Sequence, residues 1–196
     1  RRKAAKIALK TNPAICLDLC CGTGDFTILL DKLSKKKAKI IGLDLNPSML
    51  SKASERINLS FVLGSARELP FEKDKFDLVS ISFALRNINI NREFFIDVLK
   101  EAKRVLKPGG VFVNLETSQP ENYFIHKIFI LYTKTITYIL RLLSPKNSQA
   151  YFFLSNSIAG FFAAEELSKI LMEAGFKKTE FTYLFFGAAA IHKAIK

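Results

Sequence analysis

The chain has 196 residues, of which 49% are hydrophobic and 24% are charged. Such a chain is long and apolar enough to bury a sizeable core, which excludes general disorder and predicts one domain over residues 1–196. The formal net charge is +12, and residues 1–40 supply +7 of it. Because aromatic residues do not alternate with basic ones as in a stacking platform, we expect no nucleic-acid partner, although the charge by itself leaves RNA open.

The three cysteines, Cys16, Cys20 and Cys21, lie close together. An odd number of thiols in one short stretch indicates a reducing compartment, and we expect a cytoplasmic location. No Cys-x-x-Cys spacing occurs, and His126 and His192 are far apart, so we expect no metal site. The apolar stretch near the start is too short and too often interrupted by lysine for a signal peptide.

Short apolar runs alternate with segments of helical periodicity up to residue 116. Residues 3–10 predict the end of a helix, closed by Pro13, and Pro47 with Asn46 as N-cap begins another. This alternation predicts βαβ units and a mostly parallel sheet with helices on both faces. The predicted strands are residues 14–19, 38–45, 59–63, 76–83 and 111–116, and the predicted helices are 25–36, 47–57 and 92–106, the last stopped by the breakers at 107–110.

The last third of the chain has a different pattern. Residues 123–143 are strongly apolar, but Lys127, Lys134 and Arg141 recur every seven residues and share one stripe of a helix. The pattern predicts either a surface helix packed on the sheet or an interfacial helix whose apolar side faces lipid or a lipophilic ligand. The remaining predicted elements are a helical cover within 147–164, a helix at 164–174 and an antiparallel hairpin of 178–185 and 188–194.

The first strand leads into a glycine turn that predicts a ligand site. Gly22 and Gly24 allow a tight turn at the carboxyl edge of a parallel sheet, with no Cβ between backbone and ligand. A dinucleotide fingerprint would need a third glycine where this chain has Thr27. The carboxylates of Asp18 and Asp25, on either side of the turn, would repel a pyrophosphate but suit a cationic ligand. Asp44 ends the next strand, where a carboxylate can take two ribose hydroxyls. The pattern resembles motif I of the class I methyltransferases that use S-adenosylmethionine.

Further runs extend this likeness over the chain, which resembles the ubiquinone/menaquinone biosynthesis C-methyltransferases from about its first residue to its last. The runs at 18–25, 42–50 and 104–110 are generic to small-molecule methyltransferases, whereas 81–88 and the late residues are more specific to this family. The family normally has a further N-terminal segment, and we expect that segment to be missing here. The matching runs are DLCCGTGD at 18–25, GLDLNPSML at 42–50, ELPF at 68–71, ISFALRNI at 81–88, RVLKPGG at 104–110 and AGF at 174–176, with Tyr151, Leu154, Ser157, Ile158, Gly187, Ala190, Ile191 and His192.

The resemblance implies an α/β fold of the class I methyltransferase (Rossmann-like) type, mostly parallel with a C-terminal antiparallel hairpin. It implies S-adenosylmethionine as the methyl donor and S-adenosylhomocysteine as the product. Ser65 is a departure, because the family usually has Asn or Asp there to meet the adenine edge. The implied cofactor-binding residues are Asp18, Gly22, Thr23, Gly24, Asp44, Ser65, Ala66 and Ser82.

The implied reaction is methyl transfer to a ring carbon of a polyprenylated quinol. Arg86 and Asn87 are the candidate catalytic residues, which would stabilise a phenolate-like ring oxygen. Arg86 could instead form only a salt bridge across the sheet edge. Glu116, His126 and His192 are weaker candidates for accepting the ring proton.

The implied partners are a lipophilic quinol and, through residues 123–143, the inner face of a membrane. The sequence gives no indication of the oligomeric state. Two alternatives stay open on the residues alone: a class I methyltransferase that acts on another small molecule or on RNA, and an inactive cofactor-binding module.

Overall fold

The computed structural model describes residues 1–53 and 59–196. It contains a seven-stranded sheet in the order β3-β2-β1-β4-β5-β7-β6, in which β7 runs antiparallel to both β5 and β6 and the other pairs are parallel. The strands are β1 Ile15–Leu19, β2 Lys39–Asp44, β3 Leu59–Leu63, β4 Phe76–Ser82, β5 Leu106–Thr117, β6 Lys178–Leu184 and β7 Ala189–Ile195. The helices are α1 Arg2–Ala8, α2 Asp25–Leu33, α3 Pro47–Leu50, α4 Leu85–Ile88, α5 Arg92–Val105, α6 Tyr123–Leu143, α7 Ser148–Ala159 and α8 Ala164–Glu173. The predicted fold class is therefore confirmed.

Helices cover both faces of the sheet, and each face has its own apolar core. Successive side chains of a strand point to opposite faces, so Cys16 packs with α1 and α2, whereas Leu17 and Leu19 pack with α5 and α8. A parallel strand buried on both faces reads as a continuous apolar run, which is why β1, β2 and β4 were predictable from sequence.

The strand order reverses beside β1, which pairs with β2 on one side and β4 on the other. In open sheets of this kind, a crevice forms outside the carboxyl ends of the strands at such a switch point. The glycine turn follows β1 directly, so the topology places it in this crevice.

The structure differs from the predicted elements in three places. The fourth strand ends at Ser82, and the short helix α4 follows, which we did not predict. The fifth strand begins at Leu106 instead of residue 111, because the stretch predicted as a breaker forms an irregularity within it: Phe76 pairs with Leu106 and Leu78 with Val111. Of the helix predicted at 47–57, the structure shows Pro47–Leu50, and residues 54–57 lie outside the described part.

The predicted helix at 123–143 is confirmed as α6, but it does not pack on the sheet as a surface helix would. It buries only Thr133 and Thr137, and its main packing partner is α7. Within residues 1–53 and 59–196, no helix combines the length and apolarity needed to cross a bilayer.

Candidate active site

The glycine turn is held tightly against the end of β2. Gly22 and Gly24 both adopt left-handed backbone conformations, with φ of 56° and 79°, and Gly24 is the N-cap of α2. A Cβ on Gly24 would lie 3.0 Å from the ring of Phe61, whereas one on Gly22 would meet no heavy atom within 4 Å. Only glycine therefore fits easily at residue 24, while residue 22 leaves the backbone open to a ligand.

A cleft of about 460 Å³ opens at this turn. It lies at the carboxyl ends of β1, β2 and β4, where the topology predicts a ligand site. The predicted residues Asp18, Gly22, Thr23, Asp44, Ser82 and Asn87 line it, together with Cys20, Cys21, Asp25, Phe26, Asn46, Met49, Phe83, Ala84, Ile88 and Arg1. The predicted residues Gly24 and Arg86 are not among the lining residues.

Asp18 is almost fully buried behind the turn. Thr27 Oγ1 donates a hydrogen bond to one carboxylate oxygen at 2.7 Å, and Ser80 Oγ donates to the other at 2.9 Å. Burial raises the pKa of Asp18 from 3.8 to about 6, although these hydrogen bonds oppose the shift. Thr27 stands where a dinucleotide fingerprint has its third glycine, so that position serves here to fix a carboxylate.

Asp44 faces the cleft from the end of β2. Its carboxylate accepts hydrogen bonds from the Gly22 N–H and from the Asn46 N–H, both at 2.8 Å. The side chain of Asn46 in turn accepts from Ser48 N and caps α3. These contacts fix the carboxylate beside the glycine turn, which is the position that a carboxylate needs to bind the ribose hydroxyls of a nucleoside.

Ser82 and Asn87 complete the wall formed by β4 and α4. Ser82 Oγ is buried and has no hydrogen-bond partner within the described residues, which leaves a hydroxyl available to a ligand. Asn87 is exposed on the rim of the cleft.

Ser65 and Ala66 do not belong to the lining of the cleft. They follow β3, and Ser65 Oγ accepts a hydrogen bond from Arg67 N at 3.2 Å, as in a local turn. The structure therefore does not bring this pair together with the other predicted cofactor residues, and its contact with adenine stays a prediction.

Arg86 forms the salt bridge that the sequence left open. Its Nη1 donates to Glu116 Oε1 at 2.7 Å and to the Phe83 carbonyl at 3.0 Å, and its side chain is 11% exposed against 1% for Glu116. Arg86 Nε remains a buried donor with no partner within the described residues. Glu116 also accepts from the N–H groups of Arg86 and Thr117. Glu116 is thus a fully bonded anchor for Arg86 and poorly placed to accept a ring proton.

The two histidines lie outside the cleft lining. His126 Nε2 is 3.1 Å from Gln119 Oε1 and so donates to it. His192 Nε2 donates to the Ala164 carbonyl at 2.9 Å, and burial lowers the pKa of His192. Both have structural hydrogen bonds that account for their positions.

Several lining residues were missed by sequence reasoning. Cys20 and Cys21 were not predicted to line the site, and burial raises the pKa of both thiols, that of Cys20 to about 12. Asn46 and Met49 follow Asp44 closely, and their place directly after a ligand-binding strand end could have identified them. The described residues contain no cluster of His, Cys, Asp or Glu that could hold a metal ion.

This fold, with an acid-flanked glycine turn after β1 and an acid at the end of β2, is that of the class I S-adenosylmethionine-dependent methyltransferases. Human N-acetylserotonin methyltransferase in complex with S-adenosylmethionine superposes with a TM-score of 0.71 at 17% identity, over all of this chain and 51% of that one. An S-adenosylmethionine-dependent methyltransferase of Thermotoga maritima gives 0.65 at 20% identity, over 100% of this chain and 89% of that one. At such identities the likeness shows the fold.

The family follows from closer sequence relatives. The model of the ubiE/COQ5 methyltransferase family matches residues 1–196, and the chain belongs to this family. It is 38% identical to the demethylmenaquinone methyltransferase of Bacillus subtilis (strain 168), over 98% of this chain and 83% of that protein. It is 40% identical to the enzyme of the same name from Staphylococcus aureus (strain JH9), over 92% of this chain and 75% of that protein. The chain is therefore a methyltransferase, as predicted.

Proposed function

We propose that this chain transfers the methyl group of S-adenosylmethionine to a ring carbon of a polyprenylated quinol, either a demethylmenaquinol or the equivalent benzoquinol. The relatives named above are demethylmenaquinone methyltransferases. The observation that carries the proposal is that Asn87, from the most family-specific run, shares one cleft with Asp44 and the glycine turn. Donor and acceptor groups would therefore meet in the same space.

The residues of the cleft fit the donor. Asp44 would hold the ribose hydroxyls, and the open backbone at Gly22 and Thr23 would approach the amino-acid part. Ser82 offers a hydroxyl that is unpaired in the part of the chain that the structure describes. The carboxylates of Asp18 and Asp44 give the cleft the negative charge that a cation requires. When bound, S-adenosylmethionine supplies an already activated methyl group, so the task left to the protein is mainly alignment.

On the acceptor side, Asn87 lines the cleft, and its chain neighbour Arg86, which lies just outside the lining, would act beside it. Glu116 holds the guanidinium through an ion pair, and the buried Arg86 Nε–H, which has no partner among residues 1–53 and 59–196, would bind a ring oxygen or a water molecule. Because the ion pair with Glu116 offsets the charge of Arg86, stabilisation of a phenolate would come mainly from hydrogen bonding, with Asn87 as a second donor. Stabilising that oxygen raises electron density on the ring carbon that attacks the methyl group.

We also propose that α6 contacts a membrane surface in which the quinol is dissolved. Large apolar side chains are exposed along its length, among them Phe124 at 73%, Leu131 at 67% and Leu142 at 63%. Lys127, Lys134 and Arg141 form a basic stripe beside them, which is the arrangement of an interfacial helix.

The test is transfer of labelled methyl from S-adenosylmethionine to a demethylmenaquinol or a short-tailed analogue under reducing conditions. The matched control is the oxidised quinone with the same tail, which lacks the hydroxyl that would become phenolate and should accept no label. Calorimetry with S-adenosylmethionine is run on the same preparation. Measurable donor binding without any labelled quinol would refute the proposal.

A further inference from the structure

The turn between β6 and β7 presents two phenylalanines to solvent. Phe185 is 79% exposed and Phe186 is 86% exposed, the two highest values among the large hydrophobic side chains of the described residues. Both have left-handed backbones, with φ of 49° and 55°. Left-handed bulky residues are rare and strained, and such strain is found mainly where it serves a function. Neither ring is buried in the core, so packing does not offset this strain, and a role for the two rings would lie in a contact outside the fold.

This tip lies beside the start of α6. A Cβ on Gly187, the residue after the two phenylalanines, would be 3.0 Å from Pro120 Cα. From the preceding strand, Tyr183 Oη lies 2.7 Å from both Glu121 Oε1 and Glu165 Oε1. Because α6 begins at Tyr123, these contacts hold the tip close to the segment that leads directly into α6.

The segment that contains α6 and α7 is entirely free of acids. Residues 122–164 include no Asp or Glu, but they include Lys127, Lys134, Arg141 and Lys146. At about 100° per residue, the basic stripe of α6 borders one side of its exposed apolar arc. An apolar face with cations along its border is complementary to a surface that is apolar inside and anionic at its boundary.

We infer that the Phe185–Phe186 tip and the exposed face of α6 form one contact surface for an anionic lipid bilayer. The two phenylalanines enter the acyl boundary next to the first turn of α6, and the lysines of the stripe reach the headgroups. This inference rests on the proposed function, because a polyprenylated quinol must be collected from such a bilayer. It adds a second attachment point, on a different element from the one predicted from sequence.

The apolar half of the inference is tested by flotation with vesicles of phosphatidylglycerol and phosphatidylcholine. We expect the double variant Phe185→Ser/Phe186→Ser to partition at least about tenfold more weakly than the parent chain. The matched control is Leu63→Ser, which removes an apolar side chain 57% exposed on β3, at the opposite edge of the sheet. It should partition like the parent. Equal partitioning of the tip variant and the parent would overturn the inference.

The charged half is tested with Lys127→Gln/Lys134→Gln. At about 1 kcal/mol for each lysine near an anionic surface, we expect about 30-fold weaker binding at low salt and no such difference on pure phosphatidylcholine. Lys35→Gln/Lys37→Gln removes the same charge from a distant basic loop and should bind nearly as the parent does. Similar losses in both pairs would show a general effect of net charge and overturn the assignment of the surface.

Two further measurements separate the remaining explanations. If the tip variant altered the oligomeric state by light scattering but not vesicle binding, the tip would contact a second copy of the chain and the inference would be wrong. Methylation of a short-tailed, water-soluble quinol should be unchanged in the tip variant. A parent chain that binds vesicles but methylates no quinol would refute the proposed function while leaving the lipid contact intact.

Discussion

Replacing Asp18 with asparagine should make the protein more stable at neutral pH. The folded protein holds the Asp18 proton up to about pH 6, whereas the unfolded chain loses it near 3.8. The folded state therefore binds more protons between these values, and stability falls as pH rises through them. At 1.36 kcal/mol per pKa unit, the ionised carboxylate costs the folded state about 3 kcal/mol at pH 7.

Asparagine cannot ionise, so Asp18→Asn should escape this cost. The advantage of the variant in unfolding free energy should grow by about 2 to 3 kcal/mol between pH 4 and pH 7, as measured by urea denaturation. Its amide can keep bonds to Thr27 and Ser80, whose hydroxyls can rotate. The same change should weaken binding of S-adenosylmethionine, because the cleft loses a carboxylate.

Asp77→Asn provides a control of opposite sign. Burial acts to raise the pKa of Asp77, but hydrogen bonds from Lys107, Ile15 and Ala14 outweigh it and lower the pKa. The stability that this carboxylate contributes is present above its unfolded pKa and is lost as pH falls. The control should therefore be most destabilised at neutral pH. If Asp18→Asn ran parallel to the parent from pH 4 to pH 7, burial of a charge at Asp18 would be the wrong description.

Three other changes test the cleft. Asp44→Ala should weaken S-adenosylmethionine binding about tenfold or more in calorimetry, since hydrogen bonds to a charged group are lost, while Asp97→Ala, in a surface pair with Arg67, should bind normally. Arg86→Ala should cost about 3 to 5 kcal/mol of stability, because it leaves Glu116 buried and unpaired. In thermal unfolding, the double variant Arg86→Ala/Glu116→Gln should recover much of this stability, but it should not recover the rate of methyl transfer. Recovery of the rate would show that the role of Arg86 is structural alone. Gly24→Ala should unfold at a lower denaturant concentration than Gly22→Ala. Both substitutions strain a left-handed backbone, but only a Cβ at residue 24 meets the ring of Phe61. Equal unfolding midpoints would contradict this steric account.

Much of the parallel half of the fold could be predicted from sequence because its signals are local. Apolar runs mark β1, β2 and β4, of which β1 leads into the glycine turn and β2 ends in an acid, and the helical periods between them are clear. The short helix α4 escaped prediction because its four residues cannot show a period. The early start of β5 escaped because proline and two glycines normally end a strand, whereas here they form an irregularity within it.

In the candidate site, too, the residues marked by local sequence signals could be predicted, and those placed by tertiary contacts could not. Gly22, Asp18 and Asp44 follow from strand ends, so their position in the cleft was predictable. The partnership of Arg86 with Glu116 depends on the register of β4 and β5, which pairs Ser82 with Leu115, and sequence reasoning offered it only as an alternative. The path of the loop after β3 is set by tertiary contacts, so the place of Ser65 could not be predicted.

The position of β7 between β5 and β6 affects how the chain can fold during synthesis. Thr117 of β5 pairs with Ala189 of β7, so one edge of β5 stays open until the seventh strand has left the ribosome. At roughly 5 to 20 residues per second, the intervening stretch of about 70 residues takes about 4 to 14 s to translate. During that time the apolar strand β5 has an unpaired edge, which is a template for aggregation. The helix pair α6 and α7, with its exposed apolar side chains, emerges from the ribosome in the same interval. Nascent chains of this protein should therefore depend on chaperones more than the small size of the domain suggests.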